Sequence, residues 1–135
     1  MIEEVMSIID SDSRPYWEGT REKKLVIQHC PACGQYQFYP RVVCKHCMSD
    51  VDWIEAIGEG TVYSYTIVHR VFNPYFKEKV PFVVALVELK EGPRIMSNIV
   101  NVNIDDVRIG MEVKAIFKED FGEYKLVQFI PIKFE

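Results

Sequence analysis

No apolar run approaches the ~20 residues that a helix needs to cross a bilayer, so no membrane span is expected. The first six residues, Met-Ile-Glu-Glu-Val-Met, lack the basic start and long apolar stretch of a secretory signal. The chain is therefore expected to be soluble and cytoplasmic. Internal repeats and low-complexity stretches are missing. Histidines number three, His29, His46 and His69, and no Ser/His/Asp or paired-carboxylate arrangement is evident. Disorder, collagen-like repetition and a disulfide knot are excluded by a composition of 48% apolar and 27% charged residues.

A chain of 135 residues fits one compact domain, or one domain with a small appendage, and is long enough to build one core. Its net charge of −4 is unevenly spread. Residues 1–13 carry Glu3, Glu4, Asp10 and Asp12 without a base. Residues 14–48 carry Arg14, Arg21, Lys23, Lys24, Arg41 and Lys45 against Glu18 and Glu22 only. One basic segment thus lies inside an acidic protein, whereas a general nucleic-acid binder is more often basic throughout.

All four cysteines fall in that basic segment. Cys30, Cys33, Cys44 and Cys47 form two Cys-x-x-Cys pairs separated by ten residues. Each pair is the sequence form of a knuckle, a tight turn that aims two thiolates at one point. Two knuckles close a tetrahedral four-sulfur site. Gly34, directly after Cys33, suits the positive φ that such a turn needs. Met48 occupies the equivalent place in the second pair, which makes that turn less standard. Disulfides compete only in an oxidising compartment. Zinc is the expected metal, with iron the alternative that four thiolates also accept. A closed four-thiolate site leaves no position for substrate, so the role expected is structural. His29 and His46 flank the cysteines and are read as surface residues of the ribbon.

Residues 25–29 and 36–39 are short and partly apolar and resemble the two strands of a ribbon hairpin, ended by Pro40. Too small for a core of its own, the ribbon relies on the metal. Upstream, Ile2, Val5, Met6 and Ile9 have helical spacing. Ser11–Ser13 offers a cap for a second short helix from Tyr16 to about Lys24, weakened by Gly19. Val51–Ile57 is a short strand or link. Beyond it come strands over 61–70, 82–89, 94–100, 112–118 and 124–132, with a turn or one-turn helix over 103–110 and a long loop over 71–81. Five strands in this order fit a small closed barrel of the OB type, with an open sandwich as alternative. The fold class is thus mainly β: short N-terminal helices over 1–24, a ribbon over 25–50 and an OB-fold domain over 51–135.

Five segments carry a resemblance. They are Pro-Tyr-Trp-Glu-Gly at 15–19, the Cys30–Cys47 ribbon, Gly-Thr-Val-Tyr-Ser-Tyr-Thr at 60–66, Pro-Phe-Val-Val-Ala-Leu-Val-Glu-Leu at 81–89 and Asp-Val-Arg-Ile-Gly-Met at 106–111. In this order they resemble the family of small OB-fold proteins with a rubredoxin-like zinc ribbon, described as acyl-CoA-associated. The resemblance runs from Arg14 onward. It implies a non-catalytic accessory subunit in a hetero-oligomer with a thiolase-fold enzyme, such as a ketothiolase, aldolase or acyltransferase. The partner would carry the catalytic cysteine, while the small subunit scaffolds the complex and helps to bind the CoA thioester. The residues agree: a thiolase needs a free activated cysteine with a histidine base, and every cysteine here is assigned to metal.

Candidate contacts with CoA or the partner are Tyr16, Trp17, Arg21, Arg41, His69, Arg70 and Phe72. Tyr16 and Trp17 suit an interface anchor, or packing against the ribbon. Arg21 and Arg41 suit phosphate, or a solvated basic face. His69, Arg70 and Phe72 lead into an aromatic loop that would hold an acyl chain or merely cap the barrel. Two other functions compete. Zinc ribbons and OB barrels both occur in nucleic-acid-binding modules, and four thiolates also serve a rubredoxin-like electron carrier.

Overall fold

The structure, a computed structural model, describes residues 13–70, 80–121 and 124–132. The expected helix over residues 1–9, and residues 71–79 of the loop expected over 71–81, Phe72 among them, lie outside the described residues. Helix α1 spans Arg14–Arg21. Strands β1 (Val26–His29), β2 (Tyr36–Gln37) and β3 (Asp52–Glu55) form one antiparallel sheet in the order β2-β1-β3. Strands β4 (Glu59–Val68), β5 (Phe82–Leu89), β6 (Arg94–Ile99), β7 (Glu112–Phe121) and β8 (Tyr124–Pro131) form a closed barrel in the order β4-β5-β6-β8-β7. A single 3-10 turn, Ile104–Asp106, precedes β7.

The barrel closes because β4 serves two partners. Its first residues pair with β7 (Gly60 opposite Val113) while the same stretch pairs with β5 (Gly60 opposite Leu89). Gly60 is buried at this corner, and a side chain there would run into the Glu88 carbonyl. Glycine admits that close approach of two backbones. The other seam, between β6 and β8, is parallel and short: Ile99 faces Phe129, and the Val100 N–H donates to the Phe129 carbonyl at 2.9 Å. The open sandwich is thereby excluded. Strand β5 alternates in the way a one-sided strand must, with Val83, Ala85, Val87 and Leu89 inward. Val62, Ile95, Ile99, Val113, Val127 and Phe129 complete the interior.

The helix is shorter than expected. It ends at Arg21, not Lys24, because Lys23 takes a left-handed conformation (φ 59°) and the Lys24 N–H turns back to the Gly19 carbonyl at 3.0 Å. This is a Schellman closure made without glycine at its left-handed position. Ser13 stands at the N-cap without a side-chain capping bond. Helix α1 is held on β8: Thr20 Oγ1 donates to the Trp17 carbonyl at 2.6 Å and accepts from the Lys125 N–H at 3.1 Å.

The candidate metal centre and its supports

Two turns of the same shape deliver the four thiols. In the first, the Gly34 N–H donates to the Cys30 carbonyl (2.8 Å) and the Cys30 N–H to the Gln35 carbonyl (2.8 Å). In the second, the Met48 N–H donates to the Cys44 carbonyl (2.9 Å) and the Cys44 N–H to the Ser49 carbonyl (2.8 Å). Both turns need a left-handed residue at the same place: Gly34 has φ 79° and Met48 φ 67°. The second knuckle is therefore regular in backbone, and its irregularity lies only in the residue chosen. A left-handed non-glycine residue costs about 1 kcal/mol or more.

All four Sγ atoms lie within 4.8 Å of one another. Cys30 Sγ is 3.5 Å from Cys47 Sγ, and Cys33 Sγ is 3.6 Å from Cys44 Sγ. A zinc tetrahedron with bonds of ~2.3 Å has S···S edges of ~3.8 Å, so these spacings fit such an ion. Backbone N–H groups turn toward two of the sulfurs, Cys33 N to Cys30 Sγ (3.4 Å) and His46 N to Cys44 Sγ (3.3 Å). Cys30 and Cys44 are buried; Cys33 and Cys47 are exposed. Hydrogen bonds from the Ser49 hydroxyl and backbone draw Cys47 down to about 6. At Cys33 the Gln35 backbone favours the thiolate, but desolvation and the neighbouring sulfurs outweigh it and push the thiol up to about 12. Thiols this close cannot all ionise without a cation, and a divalent ion removes that conflict. Cys30, Cys33, Cys44 and Cys47 would hold the ion, which locks the two knuckles together.

Two glutamines that sequence reasoning missed hold the second knuckle in register. Gln28 and Gln37 are buried on β1 and β2. Gln28 Oε1 accepts from Gln37 Nε2 (2.6 Å) and from the Arg41 N–H (2.8 Å), and Gln28 Nε2 donates to the Arg41 carbonyl (2.7 Å). Gln37 Nε2 also donates to the Val43 carbonyl (3.2 Å), and its Oε1 accepts from the Lys45 N–H (3.0 Å). The irregular stretch 41–45 thus has its backbone polar groups satisfied by side chains from the ribbon sheet, as buried backbone requires. The only sequence signal was a polar residue within each short strand.

The other sequence-derived candidates are scattered. Tyr16 and Trp17 are 8% and 9% exposed. Their rings meet edge to face at 5.1 Å; Tyr16 also meets Phe38 of the ribbon, and Trp17 meets Tyr124 of the barrel. The two rings make these contacts within the chain and join its two halves. Arg21 is exposed and paired with Glu18 at 3.3 Å. Arg41 keeps its backbone in the glutamine network and its side chain in solvent. His69 and Arg70 are exposed just past β4. His29 packs its ring on Tyr36 at 4.7 Å, and His46 is exposed; neither joins the group of metal-competent donors. Among the described residues, no helix is long and apolar enough to cross a membrane.

A closed five-stranded barrel of this strand order, preceded by a four-cysteine ribbon, is an OB-fold protein with a zinc-ribbon-like N-terminal module. Residues 17–52 match the family model of the ChsH2 rubredoxin-like zinc ribbon domain, and residues 53–118 that of the ChsH2 C-terminal OB-fold domain. The chain belongs to this family of ChsH2-type DUF35 proteins. A DUF35 domain-containing scaffold protein of Methanocaldococcus jannaschii is 37% identical over 105 residues, covering 76% of this chain and 74% of the relative. A probable enoyl-CoA hydratase alpha subunit of Thermomonospora curvata is 41% identical over 124 residues. That alignment covers 91% of this chain, which spans only 38% of the relative's length. Among solved structures, a chain described as an Ltp2-ChsH2(DUF35) aldolase superposes with a TM-score of 0.83 at 41% identity, covering 92% of this chain and 97% of that one.

Proposed function

We propose that this chain is a non-catalytic accessory subunit of a thiolase-like acyl-CoA enzyme. It scaffolds the complex and contributes surface to the CoA-thioester site, in the cytoplasm, with one structural zinc ion. The observation that carries this reading is the likeness, over nearly the whole chain, to a chain described as an Ltp2-ChsH2(DUF35) aldolase. The names of the relatives, a scaffold protein and a hydratase alpha subunit, point the same way. The chemistry of the chain supports it from below. A thiolase nucleophile must be a free thiolate beside a base, and the four cysteines of this chain converge on one metal-competent cluster without a histidine in the donor group. The donor set of four sulfurs at tetrahedral spacing supports zinc over harder cations.

Co-expression with a candidate thiolase-fold partner, sought among the proteins encoded next to this chain, tests the proposal. A stable complex is expected, with acyl-CoA turnover that depends on a cysteine of the partner. Two proteins that elute separately at micromolar concentration would refute it.

A further inference from the structure

The second knuckle presents more than a metal site. Val42 and Met48 are each 72% exposed and Tyr39 is 53% exposed, all within ten residues of chain. Residues 40–45 and Met48 line an open surface depression of about 540 Å3. Exposed apolar side chains are unremarkable singly, but clustered on a small rim they mark contact surfaces. Met48 adds a second observation. Its backbone is left-handed at a position where the first knuckle uses glycine. Glycine there would relax the backbone and remove an exposed apolar group. An outlier of this kind, held by the surrounding turn, points to a use for the side chain.

Charge supplies the third observation. Lys23, Lys24, Lys90, Arg21 and Arg94 each pair with a glutamate. The side chains of Arg41 and Lys45, like those of Arg14, Arg70 and Lys114, make no ion pair or hydrogen bond among the described residues; Arg41 and Lys45 are the two that line the depression. They line the depression together with Val42 and Met48, so it mixes apolar and basic groups, in a basic segment of an acidic protein.

We infer that the second knuckle is the docking face for the partner subunit: an aliphatic or aromatic side chain of the partner fills the depression between Val42 and Met48, and partner carboxylates meet Arg41 and Lys45. The inference rests on the accessory-subunit reading and deepens it. Buried apolar anchors carry most of the affinity of such faces, while flanking charges set the rate and specificity of encounter. The arrangement would also give a bound ion a purpose in assembly, since Cys44, one of the four residues that would hold it, lines the depression.

The test uses the full zinc-loaded chain titrated against the purified thiolase-fold partner that the accessory-subunit reading proposes. Met48→Gly removes the anchor while relieving the backbone. It should keep one zinc per chain and a melting temperature no lower than the parent's, yet weaken association about ten-fold or more. Arg41→Glu with Lys45→Glu should slow association about ten-fold and reduce its dependence on salt. Met96→Ser, on the exposed outer face of β6, should leave affinity unchanged. If the parent chain binds and Met48→Gly binds equally well, or if Met96→Ser alone weakens the complex, the docking face is misplaced although the subunit reading stands. If the parent chain binds no partner but binds a single-stranded oligonucleotide through Arg41 and Lys45, both readings fall.

Discussion

Replacing Gln28 by leucine isolates the support of the second knuckle from its ligands. The substitution keeps a side chain of similar length in a buried strand position, but it removes three hydrogen bonds. The Arg41 N–H loses its acceptor, the Arg41 carbonyl loses its donor, and Gln37 Nε2 loses its acceptor at 2.6 Å. A buried polar group left without a partner costs about 1–3 kcal/mol. Arg41 itself is exposed, so water recovers part of its loss and the lower end applies. The expected destabilisation is about 2–4 kcal/mol. It falls on the stretch that positions Cys44, so zinc affinity should drop about 10–100-fold, the range found when groups behind a metal ligand are lost. Competition against a chromophoric chelator, followed in the full chain, measures this directly. Gln37→Leu should act through the same network, and the double variant should lose less than the two single losses combined. Unchanged zinc affinity in Gln28→Leu would refute the idea that these side chains set the knuckle.

Other substitutions have equally definite outcomes. Cys33→Ala should release the metal and unfold the ribbon, because metal binding and folding are one process in so small a module; metal analysis of the purified variant decides it. Trp17→Ala should cost about 3–5 kcal/mol of stability in denaturant titration, because the ring is buried between Tyr16 of the helix and Tyr124 of the barrel. Gly60→Ala should destabilise by at least 1–3 kcal/mol, since the added methyl meets the Glu88 backbone rather than a yielding side chain. A melting temperature equal to the parent's would contradict the barrel closure described here.

Much of this architecture was legible because its signals are local. Five β-branched and aromatic runs between glycine turns gave five strands, and β5 matches its expected bounds at Phe82–Leu89. The cysteine spacing gave the cluster, because two residues between ligands leave the chain little choice of turn. Where the reading slipped, a distant or conformational cause decided. The helix stopped early because Lys23 accepted a left-handed conformation that its sequence does not advertise. The short strand expected within 51–57 is present at Asp52–Glu55, but its pairing with β1 of the ribbon is a contact made across more than twenty residues. Tyr16 and Trp17 were ambiguous because a two-turn helix gives no sign of which surfaces will cover it. The roles of Gln28 and Gln37 were hidden because their partners are backbone atoms, which carry no sequence label.

The claim at the centre is that this chain closes its thiols around an ion and leaves bond-making to another polypeptide. Reconstitution tests it most directly: the zinc-loaded chain, the proposed thiolase-fold partner and an equimolar mixture are each assayed for acyl-CoA thioester cleavage. No turnover by the chain alone is expected, with restored or enhanced turnover in the mixture. Sustained thioester cleavage by the isolated chain would contradict it.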